Sequence, residues 1–322
     1  MQFKSCAKKA GLVRKLAWLI LAFFIGFQSS FAQSPEFSEA SSIVQQSLLL
    51  DLAKAGNAVL AVGERGHVIK SPDCGQSWRQ IKVPTRITLT AIYFLNDKQG
   101  WIVGHDGTVL TTVDGGEQWL KVREDKEAEQ PLFDVMFVNE KRGFAVGAYG
   151  AYLVTDDGGQ SWDSKPLYGE DDFHLYSIIR MQGGELIVSG EAGSVYLSTN
   201  NGISWEKLKA PYEGTFFGGV ALNADELLIF GMRGNIFSSS DLGYSWNKIE
   251  SDSTYALSNG IKRSNQTVLL TGDAGVILKS NDNGKTFAKL SSTNRTNKSA
   301  LLECSVNEIL SVGEAGVETL FQ

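Results

Sequence analysis

The residues best equipped for acid–base chemistry recur along this chain instead of clustering. Asp73, Asp114, Asp157, Asn200, Asp241 and Asp282 stand five positions before Trp78, Trp119, Trp162, Trp205, Trp246 and Phe287, respectively. The shared pattern is Ser/Thr-x-Asp-x-Gly-x-Ser/Thr-Trp, running from Ser71 to Trp78 in the first copy and from Ser280 to Phe287 in the sixth. In a tight hairpin such a carboxylate accepts backbone N–H groups two or more residues on, while glycine takes the positive φ that the turn demands. Asn200 offers an equivalent oxygen, and Gln118 replaces the later hydroxyl of the second copy. Copies spaced evenly along a repeat cannot converge on one reaction centre, so these residues are read as architecture. The closing aromatic is placed to pack between neighbouring units.

Other chemistry is sparse. His67, His105 and His174 have no metal-binding spacing, and the chain holds neither a Gly-x-Ser-x-Gly elbow nor a phosphate-cradling loop. Asn281-Asp282-Asn283-Gly284 has the look of a calcium loop, but its distal Glu is missing and it coincides with an aspartate turn. No metal and no cofactor are expected.

The elements that carry these residues form a repeat. VGERGHVIKSPDCGQSW at Val62 returns as VGHDGTVLTTVDGGEQW at Val103, VGAYGAYLVTDDGGQSW at Val146, SGEAGSVYLSTNNGISW at Ser189, FGMRGNIFSSSDLGYSW at Phe230 and TGDAGVILKSNDNGKTF at Thr271, with a truncated copy from Val312. Its first glycine falls at Gly63, Gly104, Gly147, Gly190, Gly231, Gly272 and Gly313. Short β-branched and aromatic runs between glycine turns predict four strands per unit. The fold class expected is all-β, a seven-bladed β-propeller of four-stranded antiparallel blades, residues 33–322 forming one domain. The seventh copy lacks its outermost strand, and the segment Glu36 to Gln46 is the candidate to close the ring as an added strand.

Residues 1–32 read as a secretory signal peptide: Lys4, Lys8, Lys9, Arg14 and Lys15, an apolar run from Leu16 to Phe27, and cleavage after Ala32. Export to the periplasm or the medium is expected. The whole chain carries 30 Lys and Arg against 36 Asp and Glu. Without its leader it would keep 25 of those bases and all of the acids, a net charge of −11. Such acidity argues against nucleic acid as a partner. Cys74 falls in an outer turn and Cys304 on an inner strand, so both are expected to be free, structural cysteines.

The aspartate turns resemble the Asp boxes of bacterial neuraminidase repeats. The combined unit, a Gly-x-x-Gly turn followed by TDDGGQSW, is similar to the photosystem II stability and assembly factor family of cyanobacteria and plastids. That resemblance implies a lumenal or periplasmic propeller that assists the assembly of membrane proteins without catalysis. A sialidase, the enzymatic alternative in the neuraminidase-repeat superfamily, would need three converging arginines to grip a carboxylate and a tyrosine nucleophile. By register Arg65 and Arg233 share a turn position, whereas Arg79, Arg123, Arg142 and Arg263 fall on outer strands or opposite-face turns, so no triad forms and no enzyme is expected.

A partner is expected on the face shared by the Gly-x-x-Gly turns and the blade connections. Tyr149, Tyr168, Asp171, Asp172, His174, Tyr212, Arg233 and Arg65 are the candidate contacts, because loops on a rigid scaffold carry function and exposed aromatics beside charges suit interaction patches. The expected partner is a membrane protein or envelope complex, with a glycan as the alternative, and the protein alone is expected to be a monomer.

Overall fold

The computed structural model describes residues 36–290 and 294–321; the leader and its cleavage point lie outside them. Seven antiparallel sheets follow one another along the chain, six of four strands and the last of three. Each blade begins with its inner strand: Leu49–Ala55, Leu89–Phe94, Leu132–Phe137, Leu175–Arg180, Phe216–Ala221, Leu257–Lys262 and Lys298–Ser305. Each of these pairs with the second strand of its blade across a register shift near its start, as between Leu132 and Asp134. Such a bulge bends the inner strand.

The glycine turn follows from crowding. The residue after each first glycine donates its N–H to the carbonyl that precedes the inner strand, as Ala148 does to Pro131 at 2.9 Å. A Cβ on Gly147 would collide with that same carbonyl. Gly150, at φ +68°, lies so close to the Asp171 backbone that a side chain there would be both strained and obstructed.

The core consists of apolar clusters, most of them wedged between consecutive blades. Trp119 joins blades 1 and 2, with Leu60, Ile92 and Ile102. Trp162 packs on the cluster of Trp101, Phe137 and Leu153 between blades 2 and 3. Phe287 packs with Leu228, Phe230 and Leu270 between blades 5 and 6. In every complete blade the aspartate turn reaches back over the preceding blade. Gly116 abuts Leu60, Gly159 abuts Trp101 and Gly202 abuts Phe144.

Two expectations are corrected here. Cys74 and Cys304 are not free: they form a disulfide with a Cα–Cα separation of 5.8 Å. The backward reach of the turns is the reason, since it lays the Cys74 turn of blade 1 over blade 7, where Gly75 abuts Leu310. Closure by an N-terminal strand is not confirmed either. Among the described residues, 36–46 contain no strand. Ser38 exchanges hydrogen bonds with Val83 on blade 1, Val44–Gln46 is a 3-10 turn, and Gln45 abuts Gly316 of blade 7. The ring closes through side chains, with Val44, Leu49, Leu52, Ile69, Leu310 and Val312 in one cluster across the seam.

Candidate partner-binding face

The aspartate turns are self-contained. Asp157 accepts the Ser161 hydroxyl at 2.6 Å, the Thr155 hydroxyl at 2.8 Å and the N–H groups of Gln160 and Ser161. The Ser161 hydroxyl, with the other donors behind it, holds this exposed carboxyl down at about 2. Asp282, held by Ser280 first and then Thr286, is likewise lowered to about 2. Asn200 reproduces the arrangement, accepting the Ser204 N–H at 3.0 Å and donating to the Ser204 hydroxyl. Gln118 keeps the N–H bond to Asp114 at 3.0 Å. Engaged by their own turns, the five aspartates are fixed anions at the edge of the disc, and Asn200 is their neutral counterpart.

The opposite face carries the glycine turns. Arg65, Tyr149 and Arg233 occupy the same turn position with φ of 54°, 54° and 59°, a conformation that lifts the side chain off the sheet. Arg65 is 79% exposed and only loosely paired with Glu64 at 3.9 Å. Tyr149 is 59% exposed and meets His174 edge-to-face, ring centres 4.8 Å apart. His174 in turn faces Glu191 at 3.4 Å.

The remaining candidates divide. Tyr168 is 43% exposed and leans on Tyr196, and Asp172 is exposed. Asp171 is engaged inside the chain, accepting from the Tyr196 hydroxyl at 2.8 Å and pairing with Lys207 at 2.7 Å. Lys207 first, and then Tyr196, hold it below the usual carboxylate range. Tyr212 is half-buried against Phe216 and Phe237. Asp171 and Tyr212 therefore pin their loops, while Tyr149, Asp172, Tyr168 and Arg233 face outward.

The sequence reading missed the central cavity. It holds about 160 Å³ and is lined by the start of the inner strands. On blades 3 to 5 the second residue of that strand is aromatic: Phe133 stacks on Tyr176 at 5.2 Å, and Tyr176 meets Phe217 edge-to-face at 5.0 Å. His174 continues this wall towards Tyr149, 6.3 Å from both Phe133 and Tyr176. Asp51 and Asp134, one position further along their strands, also line the cavity. Each spends one oxygen on its own strand and one on the next blade: Asp51 accepts from Ile92 at 2.8 Å, Asp134 from Ile178 at 2.7 Å. They touch solvent only through the confined cavity, and this desolvation pushes both carboxyls up to about 7. Aligning the repeats one column past Leu89, Leu132 and Leu175 would have exposed the aromatic sector. Among the described residues no arginine lines the cavity, so the carboxylate grip of a sialidase is absent there.

A family model described as photosynthesis system II assembly factor YCF48 matches residues 75–131 and 121–266. The chloroplastic photosystem II stability/assembly factor HCF136 of Cyanidioschyzon merolae is 37% identical over 98 residues, covering 28% of this chain and 22% of that protein. The aligned stretch thus spans about a fifth of that relative's length. YCF48 from Cyanidioschyzon merolae superposes with a TM-score of 0.68 at 17% identity, covering 84% of this chain and 94% of that one. A structure of YCF48 bound to D1 peptide gives 0.69 at 21% identity, covering 88% and 96%. At these identities the two structures share the fold.

Proposed function

The chain belongs to the photosynthesis system II assembly factor YCF48 family, and from that premise we propose that it is an exported, non-catalytic scaffold that holds a membrane protein or its exposed loops during assembly. The partner docks on the glycine-turn face. The observation that carries this reading is the asymmetry of the disc: the aspartate turns of one side satisfy themselves, while the other side presents Tyr149, Tyr168, Asp172, Arg65 and Arg233 on a rigid frame. Exposed aromatics and arginines are what docking surfaces use. That a YCF48 propeller has been seen with a D1 peptide supports a polypeptide partner. The Cys74–Cys304 bridge supports residence in an oxidising compartment, where disulfides persist.

The experiment is affinity purification of the tagged protein from detergent-solubilised membranes of its own cell. We expect a membrane complex to co-purify, a mature N-terminus at Gln33, and loss of the complex in Y149A/R233A with an unchanged melting curve. Retention of the complex by that variant, or recovery of the tagged chain from the cytoplasm with its leader intact, would overturn the reading.

A further inference from the structure

The central cavity joins two features that the docking face alone does not explain. Phe133, Tyr176 and Phe217 form a continuous π wall on one side, and two carboxyls, Asp51 and Asp134, sit just past them. The blade-to-blade hydrogen bond made by these carboxyls does not require an acid. On blade 6 the same register position is Asn259, whose side-chain oxygen accepts from Leu301 at 3.1 Å. On blades 2, 5 and 7 it is Ala91, Gly218 and Ala300, and the ring forms there without any acceptor.

Two acids are therefore retained where a neutral side chain or none suffices, in a place that penalises their charge. Each Asp51 oxygen keeps a free lone pair beyond its one N–H, and Asp134, which also accepts the Ser177 hydroxyl of blade 4, keeps one. Neither finds a cation among the described residues: no ion pair involves Asp51 or Asp134, and no lysine, arginine or histidine lines the cavity. A cation entering from the glycine-turn face would pass Tyr149 and His174, lie against the faces of Tyr176 and Phe133, and bring its charge to the carboxyls.

We propose that the central cavity is a receptor for one alkyl-linked organic cation, the guanidinium or ammonium group of an arginine or lysine side chain presented by the docked partner. This deepens the docking reading and rests on it for the source of the side chain. A volume of about 160 Å³ admits the end of one long side chain. Aromatic faces attract such a cation electrostatically, while carboxylates in a confined site provide the countercharge. A hydrated metal ion would gain nothing from the rings, which is why the wall selects an organic cation.

The test uses a small probe, so that its result is independent of whether a protein partner exists. The full-length mature chain is titrated with Nα-acetyl-arginine methylamide and, separately, with the neutral isostere Nα-acetyl-citrulline methylamide, following the ring signals of Tyr176, Phe133 and Phe217 by NMR. The arginine compound is expected to shift these signals with millimolar affinity and the citrulline compound to leave them in place. D134N should weaken the arginine compound about tenfold without lowering the melting temperature, because Asn259 already performs the structural role with an amide. D51N serves as the second variant if D134N melts early. Equal shifts by the two compounds, no shift at tens of millimolar, or full affinity in a folded D134N/D51N protein would each overturn the proposal. Failure here with an intact co-purified complex removes the cation receptor alone; failure of co-purification with a positive titration removes the docking partner alone.

Discussion

Breaking the Cys74–Cys304 bridge, by reduction or as C74S/C304S, unlocks the seam between blades 7 and 1 while leaving every strand pairing in place. The bridge ties residues 230 apart in sequence. In the chain-entropy treatment a cross-link over a loop of that length restricts the unfolded chain by about 5 kcal/mol. Unfolding entropy of about 2.1 cal/mol/K per residue amounts to about 0.6 kcal/mol/K for a domain of roughly 290 residues. The loss therefore converts to a fall in Tm of about 8 °C. Differential scanning calorimetry with and without a phosphine reductant reads this directly, and C74S/C304S should match the reduced protein and no longer respond to reductant. The seam cluster of Leu49, Leu52, Leu310 and Val312 remains, so the ring stays closed at room temperature. Hydrogen exchange should nevertheless quicken in Leu49–Ala55 and Lys298–Ser305 before it does in Leu175–Arg180. A shift in Tm below about 2 °C, or exchange that quickens evenly around the ring, would refute the reasoning that this bond is the latch.

Two further outcomes follow from the geometry. Trp162→Ala empties a site between blades 2 and 3, where the ring meets Phe137 edge-to-face at 5.8 Å, and should cost about 3–5 kcal/mol in urea unfolding; a loss below 1 kcal/mol would show the indole to be dispensable. Stability should also depend on pH in two opposite ways. Asp51 and Asp134, raised to about 7, keep their protons in the folded chain when the unfolded chain has lost them, so stability falls as pH rises from about 4 to 7, by at most about 1.4 kcal/mol per pH unit for each group. Asp157 and Asp282, lowered to about 2, contribute stability that is present above about pH 4 and lost as pH falls towards 2. D51N/D134N should flatten the upper slope only; an unchanged slope in that variant would assign it to other groups.

The ring was legible because its defining residues are local. A glycine that must sit against a carbonyl, and an aspartate that must fold its own hairpin, leave the same mark in each copy, whatever surrounds them. What escaped depends on neighbouring blades. Cys74 and Cys304 look remote when each is placed within its own blade, yet a turn that leans back over the previous blade brings the first and last together. The missing strand of blade 7 makes Glu36 to Gln46 look like its replacement; Ser38 instead binds Val83 on blade 1 and the segment bridges the seam without joining a sheet. Tyr212 and Asp171 looked like surface contacts because their partners Phe237, Tyr196 and Lys207 lie on other strands. Asp51 and Asp134 escaped because only three of the seven blades carry an acid or amide at that position, too few to register as a repeat.

The backward reach of the turns also gives the molecule an order of construction. A chain delivered from its N-terminus can seat the turn of blade 2 on blade 1 as soon as it emerges, and so on through blade 6. The turn of blade 1 has no blade to rest on until the seventh is finished. Cys74 finds its partner only once Cys304, 230 residues further on, has been made, so this bond joins the two ends of the ring and none of the blades between them.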